Sequence, residues 1–427
     1  MADYDAIVVG AGLAGSTAAY CMAKEGLSVL VVERGDTAGS KNVSGGRLYG
    51  HSLEKIIPGF ADEAPVERKV VRERISMMTE ESCFTMDFGS EKFRDTASSS
   101  YTVLRTDFDA WLAGKAEEAG CDVVCPATAD ELLYENGKVV GIRAGEDELT
   151  AEVVLIAEGV NGLLAQKAGL KREVSPHHVA VGFKEVVELS EGKINDRFNL
   201  NAGEGIAHLF AGSVSRGLVG GGFLYTNKET LCIGMVMTVA GLGKADMRMP
   251  DMMEAFRESA PVKPLLEGGK LVEYSAHLVP EGGFGMINTL YGDGVLLLGD
   301  TAGFCLNMGY TVRGMDYAIA SGEIAAQTVI DAKNKGDFSS STLAGYKSRL
   351  DSSFVMKDMV THKNAPDFIE HTPRMFNEYP KLVENIFVDM FKVNGPSKLM
   401  AKKALPHVMK AGIFNLIKDG IKGSRAL

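Results

Sequence analysis

A chain of 427 residues exceeds the ~250–300 that one hydrophobic core sustains, so two joined lobes are expected. Its 45% hydrophobic and 24% charged residues are those of a globular protein, and a formal charge of −11 argues against nucleic acid, whose phosphates require clustered Lys and Arg. No apolar run reaches the ~18 residues of a membrane-spanning helix.

The first strand, Ile7-Val8-Val9, starts within a few residues of Met1. This leaves no room for a signal peptide, and a cytoplasmic chain is expected. Gly10-Ala11-Gly12-Leu13-Ala14-Gly15 breaks that strand in G-x-G-x-x-G spacing, and Ser16 to Glu25 reads as an Ala-rich helix. Gly10 permits the turn, Gly12 lets a pyrophosphate approach backbone, Gly15 lets helix and strand pack closely, and the helix start supplies N–H groups and a positive dipole end. A second strand, Ser28 to Val32, ends in Glu33, where a carboxylate accepts ribose hydroxyls, with Arg34 beside it. The glycine- and polar-rich loop that follows, with Lys41, Gly45, Gly46 and Arg47, reads as a segment lying along a bound cofactor or as an ordinary surface loop. Residues 50–100 show no clean period, and Thr96 to Ser100 reads as an exposed turn.

From Asp107 to Ala119 a helix capped by Thr106 is predicted, with Phe108, Trp111 and Leu112 on one face; Arg105 ahead of it is a candidate for phosphate or ribityl contact. Strands follow at 122–124 and 139–143. A third, from Glu152, runs into Ala157, Glu158 and Gly159, which a doubly wound sheet delivers beside the nucleotide. Residues 176–285 change character, with strands at 179–187 and 231–239 and the run Gly220-Gly221-Gly222-Phe223-Leu224-Tyr225. This span reads as an inserted antiparallel lobe covering the reactive end of the cofactor.

The strand ending Gly299-Asp300 then precedes a long helix predicted from Gly309 to Ala332; Asp300 is a candidate ligand of a sugar-alcohol chain, or a turn-forming Asp. The predicted divisions are 1–175 and 286–365 for the nucleotide lobe, 176–285 for the insert and 366–427 for a C-terminal segment. Between Ser397 and Leu427 seven basic residues face one acid, Asp419, on an amphipathic helix suited to an acidic protein, an anionic membrane surface or its own core. The six cysteines are scattered. Cys121 and Cys125, i and i+4 on a strand, stand ~13 Å apart, too far for a disulfide. No four-cysteine iron–sulfur set exists, and the eight dispersed histidines suggest no metal site.

In their order and spacing the N-terminal glycine turn with Glu33, the Ala157-Glu158-Gly159 strand end and Gly299-Asp300 resemble the FAD-binding fold of the glutathione-reductase and hydroxylase type, which implies an α/β fold with an inserted β-rich domain. Together with Lys41 to Arg47, Gly220 to Asn227, Leu266 to Lys270, Glu281 to Phe284 and Pro373 to Phe376, the chain resembles the electron transfer flavoprotein–quinone oxidoreductase family, in its Fix-type form lacking the fused ferredoxin domain. The resemblance implies non-covalent FAD, an electron transfer flavoprotein heterodimer as donor and a membrane quinone as acceptor. It also implies a separate ferredoxin-like [4Fe–4S] subunit docked on the basic tail, peripheral contact with the inner face of the cell membrane, and a quinone pocket at Gly220, Gly221, Tyr225 and Met315. Two other readings share the FAD signatures: a geranylgeranyl-reductase-like or hydroxylase-like enzyme using NAD(P)H, and a non-catalytic FAD relay subunit of an electron-bifurcating assembly.

Overall fold

The computed structural model describes residues 2–41, 45–96 and 99–427. In chain order its strands are β1 (Tyr4–Val9), β2 (Val29–Val32), β3 (Gly46–Tyr49), β4 (Val66–Met78), β5 (Cys83–Gly89), β6 (Ser100–Val103), β7 (Asp122–Val124), β8 (Glu131–Glu135), β9 (Lys138–Ala144) and β10 (Asp147–Ile156). There follow β11 (Val179–Glu188), β12 (Glu204–Gly212), β13 (Gly220–Thr226), β14 (Thr230–Thr238), β15 (Lys270–Pro280), β16 (Tyr291–Gly292), β17 (Val295–Leu297), β18 (Leu306–Asn307) and β19 (Val312–Arg313).

β17, β10, β1, β2 and β7 lie side by side and parallel. The Val, Ile and Leu of the inner strands β17, β10, β1 and β2 are buried in one core, where helices Leu13–Lys24 and Met315–Lys335 pack against each other. The β8–β9 hairpin extends β10 outward.

The second sheet has the order β15-β11-β14-β13-β12-β4-β6-β3, with β5 on the free side of β4. It therefore recruits strands from 46–103 as well as from 176–285, and it is mixed rather than antiparallel, because β4 runs parallel to β12 from Lys69 to Met78. The strand character of 66–78 is masked in the sequence by charges that the fold pairs: Arg72 and Arg74 both donate to Asp87 on β5, at 2.8 and 2.9 Å. Ser99 and Ser100, expected in an exposed turn, are buried at the start of β6; Ala97 and Ser98 lie outside the described residues.

Helix Arg105–Glu118 begins ahead of Thr106, so that residue is inside the helix and Leu104 precedes it. The long helix Met315–Lys335 starts six residues after the expected Gly309, because β18 and β19 first close a hairpin. The single C-terminal helix expected from the basic tail is two, Met400–Ala411 and Ile413–Ala426, broken at Gly412 with φ +86°. Among the described residues all six cysteines are free thiols, and no helix is long and apolar enough to cross a membrane.

Candidate functional site

The three motifs read from the sequence meet at the carboxyl ends of the parallel strands. A Cβ on Gly10 would stand 2.4 Å from the Ala157 carbonyl oxygen, and one on Gly15 would stand 2.0 Å from the Gly10 carbonyl oxygen, so backbone fills both places. The Thr301 hydroxyl donates to the Gly159 carbonyl at 3.1 Å, and a Cβ on Gly299 would lie 3.0 Å from Ala14 Cβ. Leu13 and Ala14 are buried within this junction. Gly12 differs: a methyl group there would meet no atom of the chain within 4 Å. It faces open space at the start of helix Leu13–Lys24, where unpaired N–H groups attract phosphate. Glu33 Oε2 accepts from the Ala11 N–H at 2.9 Å and Oε1 from the Gly35 N–H at 2.7 Å, which aims the carboxylate across the turn with lone pairs left for ribose hydroxyls. This open mouth, helix start and fixed carboxylate fit a dinucleotide.

The remaining candidates divide by what their side chains do. Glu158 caps helix Leu163–Lys167, accepting from the Leu164 and Ala165 N–H groups at 3.1 and 3.2 Å, so its carboxylate serves the fold and only its backbone borders the site. Arg105 grips Asp109 through two bonds of 2.6 and 2.7 Å, with Asp300 as its other charged neighbour. Burial raises the Asp300 pKa against the opposing pull of Arg105 and Lys171. Arg34, Lys41 and Gly309 are exposed, and Asn42 to Ser44 lie outside the described residues.

Gly45 and Gly46 occupy the seam between the lobes. A Cβ on Gly45 would fall 2.4 Å from Cys232 Sγ on β14, and one on Gly46 would fall 3.5 Å from Met315 Sδ at the start of the long helix. A side chain at Gly45 would therefore collide with Cys232, whereas a Cβ at Gly46 would make an ordinary contact with Met315.

The sheet face turned toward this seam is defined by register. One transverse row reads Cys232, Tyr225, Ala207, Glu73 and Phe88; the next reads Lys184, Gly234, Phe223, Leu209, Ile75 and Met86. The opposite face is closed by the second core, where Phe210 meets Phe256 edge-on at 5.0 Å. Near the seam the inner face is polar. Arg47 pairs with Glu73, its guanidinium lies 4.6 Å from the Tyr49 ring, and burial pushes the Tyr225 hydroxyl pKa up beside them. Toward β5 the face turns apolar and opens, with Phe84, Met86 and Phe88 exposed and Phe387 stacked on Phe84 at 5.0 Å. Gly220 and Gly221 lie on β13, where side chains would strike the carbonyl oxygens of Val236 and Phe210 at 2.4 and 2.6 Å; this packing alone requires glycine at both.

Lys184, Cys232 and Glu73 border the candidate site without being singled out in the sequence, and Glu281 enters there only within the family resemblance. Lys184-Glu185 in the middle of the apolar run Val179 to Val187 was the available signal, since a charge pair inside a strand needs partners. Lys184 Nζ donates to the Gly45 carbonyl at 2.5 Å, and Glu281 Oε2 accepts from Asn307 Nδ2 at 2.9 Å with burial pushing its pKa up to about 7. No group of three or more His, Cys, Asp or Glu suited to a metal occurs among the described residues.

Comparisons with known proteins identify the chain's family and fold. Residues 5–95 match the FAD dependent oxidoreductase family and 365–427 match the ETF-QO/FixC family C-terminal domain. The chain is 52% identical over 425 residues to the probable electron transfer flavoprotein-quinone oxidoreductase YdiS of Escherichia coli K12, covering 99% of each. It is 41% identical over 430 residues to Protein FixC of Bradyrhizobium diazoefficiens, covering 99% of this chain and 98% of that one. A geranylgeranyl bacteriochlorophyll reductase-like structure from Thermoplasma acidophilum shares the fold, with a TM-score of 0.72 over 98% of this chain and 99% of that one at 22% identity. FAD, when bound, would supply the one- and two-electron chemistry, and the glycine turn, Glu33 and the seam are the groups that would hold it. The chain belongs to the electron transfer flavoprotein–quinone oxidoreductase/FixC family of FAD-dependent oxidoreductases.

Proposed function

We propose that this flavoprotein passes electrons from an electron transfer flavoprotein heterodimer to a quinone, as one subunit of a complex with a separate ferredoxin-like [4Fe–4S] protein. The observation that carries the reading is the graded inner face of the second sheet. A quinone is a flat polar head on an apolar tail. Arg47, Glu73, Tyr49 and Tyr225 make the polar end, and Ile75, Met86, Phe84 and Phe387 continue as an apolar wall to the surface. The Tyr225 hydroxyl, kept protonated by burial, is a hydrogen-bond donor for a reduced carbonyl oxygen. Gly220, Gly221 and Met315 border this space in the same reading.

The basic tail fits the acidic partner. Its one acid, Asp419, is withdrawn from the surface by Arg374, which donates twice at 2.8 Å, and by Tyr379 at 2.5 Å. The charge presented outward by helices Met400–Ala411 and Ile413–Ala426 is therefore basic, interleaved with exposed Leu405, Met409, Phe414 and Ile417, a composition equally suited to peripheral contact with an anionic bilayer. The test is to mix the FAD-loaded chain with reduced electron transfer flavoprotein, a short-chain quinone and the candidate ferredoxin-like partner. Quinone reduction that falls in Tyr225→Phe supports the proposal. Flavin reduction by NAD(P)H alone, or no quinone reduction in any combination, refutes it.

A further inference from the structure

Lys184 lies near the middle of β11, beside the edge strand β15, and its side chain reaches the Gly45 carbonyl at the seam. Its partners are a carbonyl, an aromatic face and a thiol: Gly45 O at 2.5 Å, the Phe223 ring at 5.4 Å and Cys232, whose sulfur sits against Gly45. Among the described residues it makes no salt bridge, and its nearest carboxylate neighbour, Glu273, acts only at longer range. A half-buried lysine ammonium without a counter-charge loses part of its hydration, a cost that a negative charge arriving from elsewhere offsets. The charges of Arg105, Arg34 and Lys184 all reach His277, and that of Arg105 reaches Lys184, so this side of the cleft is cationic. The adenosine end of FAD belongs at Glu33 and Gly12, so the opposite end of the molecule belongs at that seam.

From this geometry we infer that Lys184 is the counter-charge of the reduced isoalloxazine ring, binding the anionic reduced form more tightly than the neutral oxidised form and so raising the flavin's reduction potential. The arriving electrons come from the established donor chemistry of the flavoenzyme, and the ring's uptake of two electrons and one proton leaves one net negative charge for the ammonium to face. The inference rests on FAD occupying the cleft and is independent of whether the acceptor is a quinone. Burial lowers the lysine's own pKa, and an anion placed beside it restores the fully charged ammonium.

The experiment compares wild type, Lys184→Met, Lys184→Gln and Lys184→Arg by two readouts that need no turnover: the flavin midpoint potential by spectroelectrochemistry, and the affinities of the FAD-free protein for oxidised and for dithionite-reduced FAD. Lys184→Met is expected to weaken reduced FAD at least tenfold more than oxidised FAD, equivalent to a fall of ~30 mV for a two-electron couple. Lys184→Gln, which keeps a donor for Gly45 but no charge, should behave like Lys184→Met, whereas Lys184→Arg should stay near wild type. An unchanged potential in both uncharged variants would overturn the inference. Equal weakening of both redox forms, or loss of FAD altogether, would assign Lys184 to holding the Gly45 loop and would overturn it as well. Failure to bind FAD in the wild type would instead remove the cofactor reading on which it rests.

Discussion

Gly12 and Gly15 belong to one motif, yet the structure assigns them separable costs. Gly12 has φ −75° and ψ −178°, open to any residue, and a methyl there would touch nothing in the chain. Gly12→Ala should therefore leave the FAD-free protein within ~0.5 kcal/mol of wild type. The whole penalty should appear when FAD is added, because the methyl occupies the space over the helix N–H groups that a pyrophosphate needs; a loss of ~100-fold in affinity, ~2.7 kcal/mol, is expected. At free FAD equal to 100 times the wild-type Kd, the cofactor should stabilise wild type by ~2.7 kcal/mol and Gly12→Ala by only ~0.4 kcal/mol. Gly15→Ala should behave otherwise. Its Cβ would lie 2.0 Å from a backbone oxygen that cannot rotate away, so helix Leu13–Lys24 must lift from β1, at a cost of ~1–3 kcal/mol or more with or without FAD. Thermal melts of FAD-free and FAD-saturated protein, with FAD titration by fluorescence quenching, measure both. Wild-type FAD affinity in Gly12→Ala, or an equal drop of the FAD-free melt in both variants, would refute the placement of the phosphates.

Three further outcomes follow from buried charges. Burial pushes His208 down to about 3, with Ser76 Oγ 2.7 Å from Nε2. Unfolded, the ring protonates near its ordinary 6.5, so stability is full above that value and falls by on the order of 1 kcal/mol per pH unit toward pH 3; His208→Gln should flatten this acid limb in urea melts. Glu281 has the opposite sign, since its folded pKa is raised to about 7. Its contribution is complete below the unfolded value and is lost as pH climbs through 7, so in FAD-free protein Glu281→Gln should gain stability relative to wild type between pH 6 and 8. The Asp419 carboxyl is held below its ordinary range by Arg374, so its hold on helix Ile413–Ala426 is present above that range and weakens on acidification. Asp419→Asn should raise hydrogen exchange in 413–426 severalfold at pH 7 while leaving β1 and β10 protected.

What could be read in the sequence was what the backbone decides locally. Gly10, Gly15 and Glu33 stand where their spacing puts them, because a strand–turn–helix unit fixes its own glycines and the end of the next strand fixes the acid. The start of the long helix was missed because the hairpin before it rests on two-residue strands and a Met308 N–H to Thr311 bond, too short to leave a period. β4 was missed because Arg72 and Arg74 answer to Asp87, a partner on another strand. Lys184 was missed for the same kind of reason, its meaning residing in Gly45, far away in sequence. Glu158 shows the converse, an acid at a strand end whose carboxylate caps the neighbouring helix.

The parallel pairing of β4 with β12 also bears on how the chain is made. About 130 residues separate the two strands, which at ~5–20 residues per second is on the order of ten seconds of ribosomal elongation. Throughout that interval the nascent β4–β5 hairpin carries Phe84, Met86 and Phe88 with one flank unmated. Slowing translation between codons 90 and 200 should therefore lower the soluble yield, and holdase chaperones that cover such hairpins should restore it.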